Sequence, residues 1–341
     1  MRHRQWTRNV VRTWALGLVA TLVVCPAWAA VTGSCVDCHT MHSSQDGSTM
    51  GSSAAGMAHL TLNGCIGCHT NGGLGGVAPV VDGTYNSDSC AGGTFKEGAG
   101  GVASDAGVHN VDIVLPTLGE DGTLVGTKIP GLSGGMNSGK GLQDAQALTC
   151  AGMNGCHGDA TIDGNDAGIQ GFHHGAKEGY RYLQIASSQA AVLGKGAADW
   201  EAGISDSAVG AGGEHNIYSS DADAGINKLC ANCHPDFHTL ANTSDGSNWL
   251  RHPTDNNIPT ASGWVASVNY RENPFAFADI TSLTPGTAYT TSGAQVACIS
   301  CHRAHGTPYD DLLRWDYTAQ LAGSTTVTYG CLGCHNKQRG S

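Results

Sequence analysis

Cys35-Val36-Asp37-Cys38-His39 sets two thiols either side of a two-residue spacer and follows the second with an imidazole. Each thiol can add across a porphyrin vinyl group, and the adjoining histidine can then reach the iron from one side; this is the attachment pattern of c-type haem. The pattern recurs at Cys65/Cys68/His69, Cys230/Cys233/His234, Cys298/Cys301/His302 and Cys331/Cys334/His335. Structural zinc would combine two Cys-x-x-Cys half-sites into a set of four ligands, but it leaves the invariable histidine unexplained. Thioredoxin-like redox pairs leave it unexplained too, and the chain has no βαβ pattern. Five copies point to a multihaem electron-transfer protein.

A stretched sixth copy runs from Cys150 through Cys156 to His157, with five residues between the cysteines. A haem there needs the intervening loop to bulge, which Gly152 and Gly155 permit. The competing readings are a Cys150–Cys156 disulfide with His157 as a spare ligand, or a Cys90–Cys150 disulfide. Haem is favoured because Cys-His is retained and the position fits the series. Six haems c are expected, or five if Cys150 and Cys156 are structural.

Histidine supply sets the iron chemistry. Beyond the six proximal residues His39, His69, His157, His234, His302 and His335, the chain past its leader holds His42, His59, His109, His173, His174, His215, His238, His252 and His305. Every iron can therefore have a second histidine, which keeps it six-coordinate and suits electron transfer rather than substrate binding. His42 and His305 each stand three residues beyond a proximal histidine, where such a residue often serves a neighbouring haem. His109, His215 and His252 lie in long gaps and can return to distant irons. At least one of His173 and His174 is expected to bind iron. His59 and His238 rank lower. Met41, Met57 and Met153 are alternative ligands that the histidine supply does not require.

The elements that carry these residues are short. From first cysteine to first cysteine the spacings are 30, 85, 80, 68 and 33 residues, a doublet at each end with two separated sites between. The doublets repeat each other: CVDCHTMH matches CISCHRAH, and GCIGCHT matches GCLGCHN. Residues 44–56, 71–76 and 235–295 read as loops, and 77–141 as turns with one small hairpin. Short helices are predicted at 142–150, 176–187 and 309–321. With 50 glycines and 6% aromatics, ordinary core-forming side chains are scarce. The fold class expected is a mostly irregular, loop-rich multihaem cytochrome with a few short α-helices and little β, its core built from stacked haems.

Arg2, Arg4, Arg8 and Arg12 precede an apolar run from Trp14 to Val24 and an Ala27-Trp28-Ala29 cleavage pattern. Residues 1–29 are thus read as a signal peptide and 30–341 as a single haem-binding domain. No segment beyond the leader is apolar enough to cross a bilayer. Export agrees with haem attachment, which takes place outside the cytoplasm. The net charge of −11, more acidic once the leader arginines are removed, excludes nucleic acid as a natural partner.

The opening CxxCHTMH, LTCAGxxGCHG at 148–158, RHPTD around His252, CHRAHGTPY from Cys301 and LLRWDY from Leu312 resemble the paired-CxxCH multihaem c-type cytochromes. In particular they resemble the extracellular cytochrome nanowire proteins of the OmcE/OmcS type. The resemblance covers most of the chain past the leader. It implies a continuous haem chain, stacked within pairs and roughly perpendicular between them, and an iron ligand donated across a subunit interface. It also implies a homopolymer at the cell surface that passes electrons to redox proteins or mineral acceptors. The five-residue Cys150–Cys156 spacing and Cys90 depart from the pattern. A monomeric periplasmic carrier is the alternative. A multihaem reductase would need an open iron or an unusual proximal ligand, and no Cys-x-x-Cys-Lys is present; no enzymatic activity is expected.

Overall fold

Glycine at 50 of 341 positions opposes long regular elements, because each one costs backbone entropy on ordering. The computed structural model describes residues 34–45, 48–49, 59–61, 64–69, 80–81, 91–95, 107–109, 111, 129–131, 148–175, 177–197, 215–238, 254–258, 273–285, 292–324, 326–327 and 329–335. Among these the longest helix has five residues and the longest strand three. The expected leader, Cys90, Met57 and His252 lie outside the described residues.

A small antiparallel hairpin, β1 (Ser44–Gln45) with β2 (Ser48–Thr49), follows the first motif where only a loop was expected. The second motif coils into α1 (Cys65–Cys68). The third motif is a parallel pair, β3 (Thr149–Ala151) with β4 (Gly155–His157), closed by α2 (Asn165–Gly168). A four-stranded sheet comes next, with β5 (Gly194–Lys195), β6 (Ile217–Ser219), β7 (Ala276–Phe277) and β8 (Ala294–Gln295) in that spatial order. It is parallel between β6 and β7 and antiparallel at both edges. The fourth motif begins in α3 (Ile226–Cys230), and the sixth is α4 (Cys331–Cys334).

The sheet alternates its side chains between two apolar clusters, as a pleated backbone must. Tyr218 and Ala276 join Ile185, Val192, Ile226 and Ile299 on one side, so this cluster lies against the fourth and fifth motifs. Ile217, Phe275, Phe277 and Ala294 join Ile258 on the other, with Cys334 of the sixth motif packed against them. Burying one such phenylalanine contributes about 1.5–3 kcal/mol. The sheet is therefore the platform for the last three motifs.

Two of the three expected helices are not found. Of the third, 142–150, residues 142–147 lie outside the described residues, and Thr149 and Cys150 belong to β3. Within 176–187 there is only a 3-10 turn, Tyr180–Tyr182, and within 309–321 two of them, Asp310–Leu312 and Tyr317–Ala319. The cause is local: Arg181 and Tyr182 have φ of 51° and 62°, and Asp311 and Leu312 have 58° and 54°, values that cannot propagate a right-handed helix. The stretch 235–295, expected as loop, supplies β7 and β8.

Candidate metal centres

Apart from the third, the motifs fall into two structural classes. Cys35–Asp37 and Cys298–Ser300 are 3-10 turns, whereas the second and sixth motifs are α-helical and the fourth begins in α3. In the two 3-10 turns the residue before the second cysteine closes the turn: Asp37 accepts the Ser34 N–H at 3.2 Å, and Ser300 Oγ accepts the Ala297 N–H at 3.0 Å.

The odd-numbered proximal histidines share a backbone clasp. His39 Nδ1–H donates to the His59 carbonyl (3.0 Å), His157 Nδ1–H to Arg181 (2.9 Å) and His302 Nδ1–H to Asp311 (2.7 Å). The next residue in each motif, Thr40, Gly158 or Arg303, donates its N–H to the following carbonyl, that of Leu60, Tyr182 or Leu312, at 2.7, 2.7 and 2.9 Å. Each of those three acceptor residues has positive φ, and each histidine bridges to the residue after it, Thr61, Leu183 or Leu313. Left-handed backbone costs about 1–2 kcal/mol at a non-glycine residue, which the paired hydrogen bonds offset. The clasp fixes the Nδ1–H tautomer and leaves Nε2 as the electron-pair donor, as a metal requires. It also groups the third motif with the first and fifth, so that a clasped motif is followed by a helical one three times along the chain, where the spacing alone revealed two doublets.

The five-residue loop of the third motif folds back on itself. Its parallel register pairs Thr149 with Gly155 and Ala151 with His157, so Cys150 and Cys156 stand opposite each other. Gly152 has φ +85°, and a Cβ there would lie 2.6 Å from the Ile162 carbonyl; one on Gly155 would lie 2.5 Å from the Ala151 nitrogen. Both glycines are obligatory for this shape. Neither cysteine is in a disulfide, and the Cys150 thiol meets the Cys65 thiol of the second motif. That hydrogen bond and burial push the Cys150 thiol far up, and the same bond pulls Cys65 down.

Four proximal histidines face a second histidine ring. Centroid separations are 6.0 Å for His39–His174, 6.5 Å for His69–His173, 6.2 Å for His157–His305 and 6.3 Å for His234–His109. Metal–imidazole bonds of about 2 Å on each side, with about 1 Å from each nitrogen to its ring centre, require roughly 6 Å. Two of the second rings are also held by the backbone: His109 Nδ1–H donates to the Ala304 carbonyl at 2.7 Å and His305 Nδ1–H to Gly93 at 3.2 Å. His234 Nδ1–H donates to Pro130 at 2.7 Å. Desolvation, then neighbouring imidazoles, hold His305 down at about 3 and His173 and His234 at about 4, so these rings stay neutral and able to ligate. Buried polar atoms without protein partners, Asn154 Oδ1 and Asn232 Nδ2, sit within the third and fourth motif loops. The donor set and its spacing fit haem iron.

Consecutive motifs are linked throughout, directly or through intervening residues. His173 and His174, adjacent in sequence, face the second and first motifs. Cys65 meets Cys150 between the second and third. His109, facing the fourth, donates its backbone N–H to the carbonyl of His305, facing the third, at 3.1 Å. Cys230 bonds Cys298 between the fourth and fifth, and buried Asn227 accepts the Cys298 N–H at 2.8 Å. Buried Asn273 joins the fifth to the sixth, accepting the Gly330 N–H at 2.9 Å and donating to the Ser300 carbonyl at 3.3 Å.

The remaining candidates are placed differently. His42 is exposed beside Met41, which is 82% exposed. His215 is buried at the head of β6. His238 pairs with Asp255 at 3.0 Å, and His59 contributes its carbonyl rather than its ring to the first clasp. Sequence reasoning missed the clasp and both asparagine links; the clasp is made of backbone and has no side-chain signature.

The doubled CXXCH motif family matches residues 291–340. This segment is a doubled CXXCH unit. Its motifs attach haem c covalently. The chain is similar to the C-type cytochrome OmcS of Geobacter sulfurreducens, with 30% identity over 135 residues, 31% of this chain and 30% of that one. The match thus spans under a third of that relative's length. Two solved structures are also similar at 19% identity. The outer membrane cytochrome S filament from Geobacter sulfurreducens gives a TM-score of 0.43 over 86% of each chain. The OmcS nanowires from the same organism give 0.45 over 89% of this chain and 88% of that one. No helix among the described residues is long and apolar enough to cross a membrane.

Proposed function

We propose that the chain is a six-haem conduit passing single electrons from the Cys35–His39 site to the Cys331–His335 site in sequence order. The observation that carries this reading is the unbroken series of links, direct or through intervening residues, between consecutive motifs, together with four facing histidine pairs at iron-spanning distance. Haem supplies a one-electron couple at each site when bound. The protein fixes spacing and ligation and assigns no organic reaction. In this reading Cys35, Cys38, Cys65, Cys68, Cys150, Cys156, Cys230, Cys233, Cys298, Cys301, Cys331 and Cys334 attach the haems. The ligand pairs are His39/His174, His69/His173, His157/His305 and His234/His109. His302 and His335 draw on the remaining histidines, His42, His215 and His252. Residues 30–341 act as one unit after loss of a signal peptide.

The same repeat supports a homopolymer outside the cell. His305 stands three residues beyond the clasped His302 yet faces His157, the clasped histidine of the preceding unit. His42 stands three residues beyond the clasped His39 and is exposed. Its equivalent target is the clasped His302 site of another copy. His42→Ala is expected to leave the haem count of the secreted protein intact and abolish filaments in the extracellular fraction. Filaments of unchanged abundance would defeat the polymer reading while leaving the conduit standing.

A further inference from the structure

The last unit contains a buried cation that neither the attachment nor the ligand set explains. Arg314 is 4% exposed. Its backbone N–H donates to the Cys301 carbonyl at 2.9 Å, and its Nε–H donates to the Ile299 carbonyl at 2.6 Å. The side chain is thereby fastened along the inside of the Cys298–His302 loop. A guanidinium stays charged at every working pH. Its charge is thereby held close enough to act on both the Cys301 sulfur and the His302 ring. Asp311, whose carbonyl holds His302 Nδ1, brings a negative charge to the same ring. Asp311 is exposed, so water and salt screen it; Arg314 is not.

Ferric-to-ferrous reduction adds one electron at the iron and removes one positive charge, so a fixed cation in a poorly screened position favours the reduced form. We propose that Arg314 is a potential-setting residue that raises the reduction potential of the haem held by Cys298, Cys301 and His302, making that site a resting point for an electron moving along the chain. The inference rests on the reading of Cys298–His302 as a haem site. It names a residue that neither binds iron nor bonds haem.

The test is a spectroelectrochemical titration of the full holoprotein, resolved into one-electron components, with intact mass confirming that every variant carries the wild-type haem complement. In Arg314→Gln, whose amide can still donate to the Ile299 carbonyl, one component should lose about tenfold in its reduction equilibrium, about 59 mV for one electron. Arg314→Lys keeps the charge and should restore most of that loss. Asp311→Asn should move the same component upward, by less as salt is raised. An unmoved component in fully loaded Arg314→Gln, or an equal loss in Arg314→Lys, overturns the proposal. Where Arg314→Gln does not mature, Asp311→Asn decides, and no upward movement at low salt overturns it. A wild-type mass lacking haem at Cys298 and Cys301 would instead defeat the underlying haem reading.

Discussion

His305→Ala separates spatial pairing from sequence neighbourhood. His305 belongs in sequence to the fifth motif, yet its ring lies 6.2 Å from His157 of the third. The substitution removes a desolvated imidazole that packs on Phe95 at 4.8 Å and hydrogen-bonds the Gly93 carbonyl. It leaves the backbone bonds from His305 to Gly92 and from His109 to His305 intact. Loss of packing and one buried hydrogen bond should cost about 2–4 kcal/mol, enough to lower the melting temperature by several degrees without unfolding the chain. Electron paramagnetic resonance of the oxidised protein should then report one high-spin iron among six sites. The assignment is made by repeating the substitution in a Cys150→Ser/Cys156→Ser background. If the affected iron is the third, no high-spin signal appears there. A high-spin signal that persists in that background, or a fully low-spin His305→Ala, would refute the pairing.

Gly92→Ala should mimic His305→Ala more weakly, because its Cβ would stand 2.8 Å from His305 Nδ1 and displace the ring; crowding of this kind costs about 1–3 kcal/mol, read as a lowered melting temperature with a partial high-spin signal. Gly152→Ala should cut the haem content by one in the intact mass, since a left-handed residue with a Cβ 2.6 Å from the Ile162 carbonyl cannot form the returning loop. Asn273→Ala should cost about 1–3 kcal/mol in chemical denaturation, while every haem stays attached, because the Gly330 N–H loses its partner. His305, held at about 3, and His173 and His234, at about 4, are neutral in the fold below the pH at which free imidazoles charge, about 6.5. The unfolded chain therefore binds more protons as pH falls, and folding stability should decline from about pH 6.5 toward about pH 3. Denaturation midpoints across that range provide the check.

The attachment chemistry was legible in the sequence because thioether formation needs particular atoms at particular spacing, and Cys-x-x-Cys-His carries nothing else. The matched positions of His42 and His305 were legible for the same reason, and the His305 ring faces His157 of the third motif. The middle doublet was hidden because its spacing of 80 residues and the widened Cys150–Cys156 loop break the pattern. Only the backbone geometry around His157 reveals its kinship to His39 and His302. That geometry places Leu60, Arg181, Tyr182, Asp311 and Leu312 in a left-handed conformation that their residue types disfavour, so no turn signal marks it. The predicted helices at 176–187 and 309–321 failed at the same residues: apolar spacing suggested a helix, and the clasps bent the backbone to serve a histidine. Ring pairing was not legible because His173 and His174 reach motifs more than a hundred residues away in sequence.

The most direct test is the intact mass of the secreted, reduced protein. The account predicts the chain plus six haems, with Cys150 and Cys156 both consumed. Five haems with free or disulfide-bonded Cys150 and Cys156 would break the chain of sites at its third link and contradict an unbroken conduit.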